Sequence, residues 1–362
     1  MAPPGRGARG ANREGNAVVG QERRAYIGSF TQAGGPGIVT AAFDAGSGAL
    51  TVLGASDAVA DPSYLALSAD GGTLYAVSES AEGAVAAFRT AGDTVRPLGA
   101  PVSVRAAGPT HLAVHEGLVH TANYGSGSVT SVPVADDGSL AAAAAGVVEH
   151  QGSGPDTDRQ EGPHAHQVLP DPSGRWILSV DLGTDSVRVC APGDAGLTVR
   201  HEVALRPGTG PRHLAFHPGG RFAYVLNELT PTLTVCSWDP DGGTLRPLAE
   251  TSVLSGEPDG DAYPSEVVVA PDGRFLWTAT RGVDVISVFA LDDAGATARL
   301  TASVDCGGAW PRDLAVDPSG RFLYAANERS GDVTWFAVDE DSGLPRIAGA
   351  IGVPAASCVV FA

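Results

Sequence analysis

The chain has 362 residues, 43% hydrophobic and 18% charged, with 48 glycines and 26 prolines. That composition excludes overall disorder and a collagen-like repeat and leaves ample material for a large core. Its 41 acidic residues face 23 basic ones, all of them arginine, for a net charge of −18, so nucleic acid and anionic membranes are excluded as partners.

Residues 1–24 are rich in Gly, Pro and Arg and lack the apolar core of a secretory signal. They read as a disordered tail on a cytoplasmic protein, ahead of a single folded domain at 25–362. AYIGSF (Ala25 to Phe30) and the following GIVTAAFD alternate as strands do. From Pro62 onward one phrase recurs: a proline, two variable residues, alternating apolar positions, a D-P-x-G-like turn and an aromatic strand. Its copies begin at Pro62, Pro109, Pro163, Pro211, Pro264 and Pro311. In the Pro163 copy the Asp171-Pro172 turn aligns Ala165 with the prolines, so His166 takes the first variable position. Between the second and third copies, the aliphatic run Leu140 to Val148 is far shorter than the roughly 20 residues a membrane span needs. The Gly-rich insertion Gln151 to Pro163 reads equally as a loop over a pocket or as a solvated turn.

Pro354 opens a last copy that stops after one strand, and with it the spacings run from 43 to 54 residues. The missing strands are those at Ala25, so one blade is assembled from both termini. The expectation is all-β: a seven-bladed β-propeller of four-stranded antiparallel blades, closed by pairing of the N- and C-terminal strands.

In such a ring the start of each first strand and the end of each second strand meet at one rim. The first variable positions are Ser63, Thr110, His166, Arg212, Ser265, Arg312 and, in the terminal copy, Ala355; the next are Tyr64, His111, Gln167, His213, Glu266, Asp313 and Ala356. Second strands end in pairs such as Asn227-Glu228, Thr280-Arg281 and Asn327-Glu328. Residues that recur at one blade position serve the blade: Arg175, Arg221, Arg274 and Arg321 all follow the turn glycine. His166, Arg212, Glu228, Arg281 and Arg312 differ from the residues that most other blades carry at the same positions, which points to function or to a rim salt-bridge network. His111, His164, His213, Asn227 and Glu328 are candidate substrate contacts beside them.

Cys190, Cys236, Cys306 and Cys358 form no CxxC and sit in apolar strands, as free buried thiols do. His164 and His166 lie two apart, but a zinc site usually needs three or four ligands of defined geometry, which disfavours a metal ion at this pair. No GxSxG nucleophile motif and no phosphate-cradling glycine loop is present, and no motif demands a cofactor. Histidine, carboxylates and arginines together suit acid/base chemistry on a small anionic substrate.

The motifs YIGSF, PHAH, GPRHLAFHP, YVLNE, TATRG and WPRDLAVDPSGRFLYAAN, in this order, resemble the lactonase family of seven-bladed propellers from Tyr26 to Ala362. That family includes propeller-type 6-phosphogluconolactonase and the carboxy-muconate cyclising enzyme. The resemblance implies a catalytic set of His166, Arg212, Glu228 and Arg281, with Thr280 and Val283 departing from the usual residues beside Arg281. It implies a hydrolase of an anionic sugar lactone, with His166 or Glu228 activating water and Arg212 and Arg281 binding the anion or the oxyanion. The same residues would serve a cycloisomerase of a carboxylated muconate-type substrate, and propellers also act as noncatalytic binding modules. A monomer with a small anionic lactone or carboxylate as its partner is expected.

Overall fold

The computed structural model describes Met1 and residues 23–193, 196–292 and 294–362. The expected tail therefore lies outside the described residues, save that Arg23 and Arg24 already belong to the first strand and pair with Phe43 and Ala42.

The alternating apolar runs fold into seven antiparallel sheets, and their innermost strands contact one another in a closed circuit. We number the blades from the first complete copy. Blade 3, for example, runs outward through Ala165–Pro170, Ile177–Asp181, Ser186–Gly193 and Gly196–Ala204. Blade 7 pairs Ala356–Phe361 with Arg23–Ser29, followed by Ile38–Phe43 and Leu50–Ser56, which closes the ring by strand hydrogen bonds as the sequence implies. Blade 1 departs from the four-strand plan, because its outer edge is divided into Arg96–Pro97 and Val102–Ser103, both paired with Ala84–Arg89. Pro97 and Pro101 remove amide donors there, and Gly99 adopts φ 85°, so one continuous edge strand cannot form.

The aromatic that recurs in the second strands of blades 1, 4, 5 and 6 explains how these blades adhere to their neighbours. Tyr75, Tyr224, Trp277 and Tyr324 are fully buried and donate to the backbone carbonyls of Gly138, Gly295, Gly343 and Gly48 in the next blade. Each ring fills an interface between blades while its polar tip is satisfied, so neighbouring blades share one core. The turn arginines sit away from the channel: Arg175 pairs with Asp241 and Arg274 with Asp272, both solvent-exposed.

One backbone irregularity positions the rim. In blades 2 to 6 the pairing register of the first strand slips at a single residue: Thr110, His166, Arg212, Ser265 and Arg312. These bulges re-aim one side chain per blade toward the channel mouth. In blade 7 the slip falls at Ser357, because Ser29 pairs with Ala356 and Gly28 with Cys358. The rim residues of that blade are therefore Ser357 and Cys358, not Ala355 and Ala356. Ala355, at φ 53°, takes the left-handed place that Gly210 and Trp310 hold before Pro211 and Pro311, so Ala356 is the counterpart of those prolines.

Candidate active site

The ends of the second strands are clamped to the same rim. The amides of Glu79, Tyr124, Glu228 and Glu328 donate to the carbonyls of Asp61, Gly108, Gly210 and Trp310, and Arg281 pairs with Tyr263. Each of these side chains thus starts from a fixed point at the rim.

Glu228 is the electrostatic centre. Its Oε1 accepts from Arg159 at 2.6 Å and its Oε2 from Arg281 at 2.7 Å, with Arg212 Nε 3.2 Å from Oε2. The carboxylate side chain is 5% exposed. Burial pushes its pKa up, but Arg281, Arg212 and Arg159 together outweigh that and hold the carboxyl at about 2. Arg212 is lowered to about 9, first by burial and then by Arg281, and so stays cationic at neutral pH. Its guanidinium also donates to the Ser265 carbonyl. Arg281 donates to the Tyr263 carbonyl and stands 5.5 Å from the Trp310 ring centroid. On the other side of the mouth Arg312 bonds Glu328 at 3.1 Å, lies 3.8 Å from Glu79 and covers the Phe30 ring.

Below this layer lie imidazoles. His166, Arg212, His213, Glu266, Arg312 and Asp313 line one cavity together with Ser63, Tyr64, Thr110 and Ser357. The ring centroids of His166 and His111 are 5.0 and 5.4 Å from that of His213. Burial first, then the charge of Arg212, keeps His166 and His213 well below the ordinary histidine range, and both are neutral at pH 7. His166 Nδ1 and His213 Nε2 are buried without a hydrogen-bond partner. His213 Nδ1 instead shares a 2.7 Å hydrogen bond with Glu266 Oε2. Glu266 in turn bonds Asp313, and burial raises Glu266 to about 7 and Asp313 well above the usual carboxylate range. Two carboxyls so close retain a proton between them.

Of the residues expected from sequence, the fold brings His166, Arg212, Glu228, Arg281, Arg312, His111, His213 and Glu328 to this mouth. Two others it directs elsewhere. His164 stacks on Tyr124 and places its Nδ1 2.9 Å from the Tyr124 carbonyl and its Nε2 3.1 Å from Glu161, so both nitrogens are engaged. Asn227 is fully buried and donates its amide to Thr232 and Thr234 of its own blade, as Asn327 does to Asp332 and Thr334. It is a repeated tie within a blade, not a substrate contact. Among the described residues no cluster of three His, Cys, Asp or Glu side chains has the arrangement of a metal site.

Sequence reasoning missed Arg159 and the joint role of Glu266 and Asp313. Arg159 stands in the insertion at 151–163, within the longest of the connections that lead into a first strand, so comparison between blades offered it no matched position. Glu266 and Asp313 occupy the same position in adjacent blades, and their adjacency exists only across the channel wall.

The four cysteines are buried and free, and no helix among the described residues is long and apolar enough to cross a membrane. The 6-phosphogluconolactonase of Bacillus subtilis is 32% identical over 277 residues, covering 74% of this chain and 77% of that protein. A Lactobacillus plantarum protein of known structure superposes with TM-score 0.88 at 31% identity, over 94% of this chain and 100% of that one. The periplasmic gluconolactonase of Pseudomonas aeruginosa gives TM-score 0.88 at 29% identity, over 94% and 99%. Its location means that this fold does not by itself dictate a compartment. Residues 24–361 match the family described as lactonase, 7-bladed beta-propeller. The repeats, the ring closure and the rim agree with that match, and the chain belongs to the lactonase family of seven-bladed β-propellers.

Proposed function

We propose that this protein hydrolyses an anionic sugar lactone, 6-phosphogluconolactone foremost, at the rim around His166, Arg212, Glu228 and Arg281. The observation that carries the reading is one buried carboxylate, Glu228, gathering three guanidiniums beside a neutral buried imidazole. The names of the Bacillus and Pseudomonas relatives support the same chemistry.

His166 is assigned as the base. It takes a proton from water as the oxygen bonds to the lactone carbonyl carbon, and the carbonyl oxygen becomes an oxyanion held by Arg212 and Arg281. Collapse of that intermediate breaks the ring C–O bond, and the imidazolium returns its proton to the departing alkoxide. In the free protein burial first, and then the cations around it, depress the basicity of His166. An anionic substrate offsets their charge, so binding itself moves the imidazole toward the working pH. Glu228, at about 2 and bound by two arginine donors with a third guanidinium 3.2 Å away, is a poor base; its assigned role is to orient the arginines.

The test compares wild type with Arg212→Ala on fresh 6-phosphogluconolactone, corrected for spontaneous hydrolysis. The proposal expects a rate far above background that falls about 10²- to 10³-fold in the variant, the usual loss for one oxyanion donor. A wild-type rate equal to background would refute it.

A further inference from the structure

Arg159 differs from the other two arginines on Glu228 in where it comes from and how exposed it is. Arg212 and Arg281 stand on blade strands, with side chains 3% and 9% exposed; Arg159 comes from the insertion ahead of blade 3 and is 37% exposed. The backbone beneath it is fixed. Asp156 accepts the amides of Asp158 and Arg159 on its side chain and that of Gln160 on its carbonyl, and the fully buried Gln160 side chain donates to the Leu182 carbonyl. The insertion is therefore a rigid mount, with the guanidinium at its tip resting on Glu228 and 3.4 Å from the Tyr124 hydroxyl.

Charge makes that resting place replaceable. Three guanidiniums share the single negative charge of Glu228, leaving two positive charges uncompensated within the cluster. Glu228 keeps Arg281 and Arg212 on Oε2 when Arg159 releases Oε1. Releasing the solvent-side arginine costs least desolvation, and a dianion offers it the same geometry as a carboxylate with twice the charge. We propose that Arg159 is an exchangeable arm that leaves Glu228 to grip the phosphate of a phosphorylated substrate, making the insertion at 151–163 the element that selects phosphorylated over unphosphorylated sugar acids. This rests on the lactonase reading and names the specificity element of that site.

The experiment titrates wild type, Arg159→Gln and Arg159→Lys by calorimetry with 6-phosphogluconate, gluconate and inorganic phosphate, and measures hydrolysis of the two corresponding lactones. Arg159→Gln should weaken 6-phosphogluconate binding by about 10- to 100-fold, the range for a hydrogen bond to a charged group. The loss for gluconate should be several-fold smaller, and the change on the phosphorylated lactone should lie in KM more than in kcat. Arg159→Lys should recover only part, because an ammonium lacks the planar fork. Equal losses for both acids, or no loss, overturn the arm. A wild type that hydrolyses neither lactone but binds inorganic phosphate through Arg159 overturns the lactonase reading and keeps the arm; a wild type that binds none of the three ligands overturns the arm.

Discussion

Replacing Glu228 by glutamine tests the electrostatic centre of the rim without changing its shape. Holding this carboxyl at about 2 instead of its ordinary 4.5 corresponds to about 3 kcal/mol of favourable interaction, at 1.36 kcal/mol per pH unit. Because the group is buried, solvent and salt screen little of it. The amide keeps one acceptor but turns a donor toward guanidiniums that are themselves donors only. Breaking a buried pair in this way costs about 3 to 5 kcal/mol. With about 2.1 cal/mol/K of unfolding entropy for each of 362 residues, the melting temperature should drop by roughly 4 to 7 °C. The pH dependence carries the sharper signature. A depressed carboxyl contributes stability that is fully present above its unfolded pKa and is lost as pH falls through its folded one, so the wild-type advantage over Glu228→Gln should shrink between about pH 4.5 and 2. Scanning calorimetry of both proteins across that range reads both effects. A variant that melts within a degree of wild type at pH 7, with the same acid slope, would refute the claim that Glu228 organises the arginines through charge.

Two further perturbations address other parts of the molecule. Glu266→Gln should make stability less sensitive to pH: burial raises Glu266 to about 7, so its contribution is present below the unfolded value near 4.5 and lost as pH rises toward 7. The wild type should therefore lose stability relative to this variant between about pH 5 and 7.5 in urea titrations, and parallel curves would remove the shared proton from the account. Ending the chain before Pro354 deletes the strand Ala356–Phe361, which pairs with Arg23–Ser29 and packs Ala356 and Val359 into the core of blades 6 and 7. Opening the ring should abolish the wild-type cooperative unfolding transition, and a truncated protein that retained the full melting temperature would contradict the closure.

Much of the fold was legible because a propeller repeats its instructions. Proline, alternating apolar residues, turn and buried aromatic recur at near-constant spacing, and strand periodicity is a local property that a linear text preserves. The same repetition marked His166, Arg212, Glu228, Arg281 and Arg312, which differ from the residues that most other blades carry at their positions. It failed where copies diverge in length: in the terminal copy the left-handed residue that marks the strand start is Ala355 and no proline follows it, where Asp61, Gly108, Gly210 and Trp310 each precede one. Asn227 looked like a rim residue because an end-of-strand position says nothing about whether a side chain points along the rim or back into its own blade.

The amino-acid sequence by itself determined the blade count, the closure through both termini and the polar ring from which any site is built. Tertiary structure alone decided which of those polar groups share charge and protons. Glu228 meets Arg159 at a separation of 69 residues and Arg281 at 53, and His213 meets Glu266 at 53. Such pairings are set by the curvature of a closed ring, which brings the same corner of every blade to one axis. Removal from water there keeps the imidazoles neutral and a proton on the Glu266–Asp313 pair, while Coulomb interactions that would be weak at the surface hold Glu228 ionised.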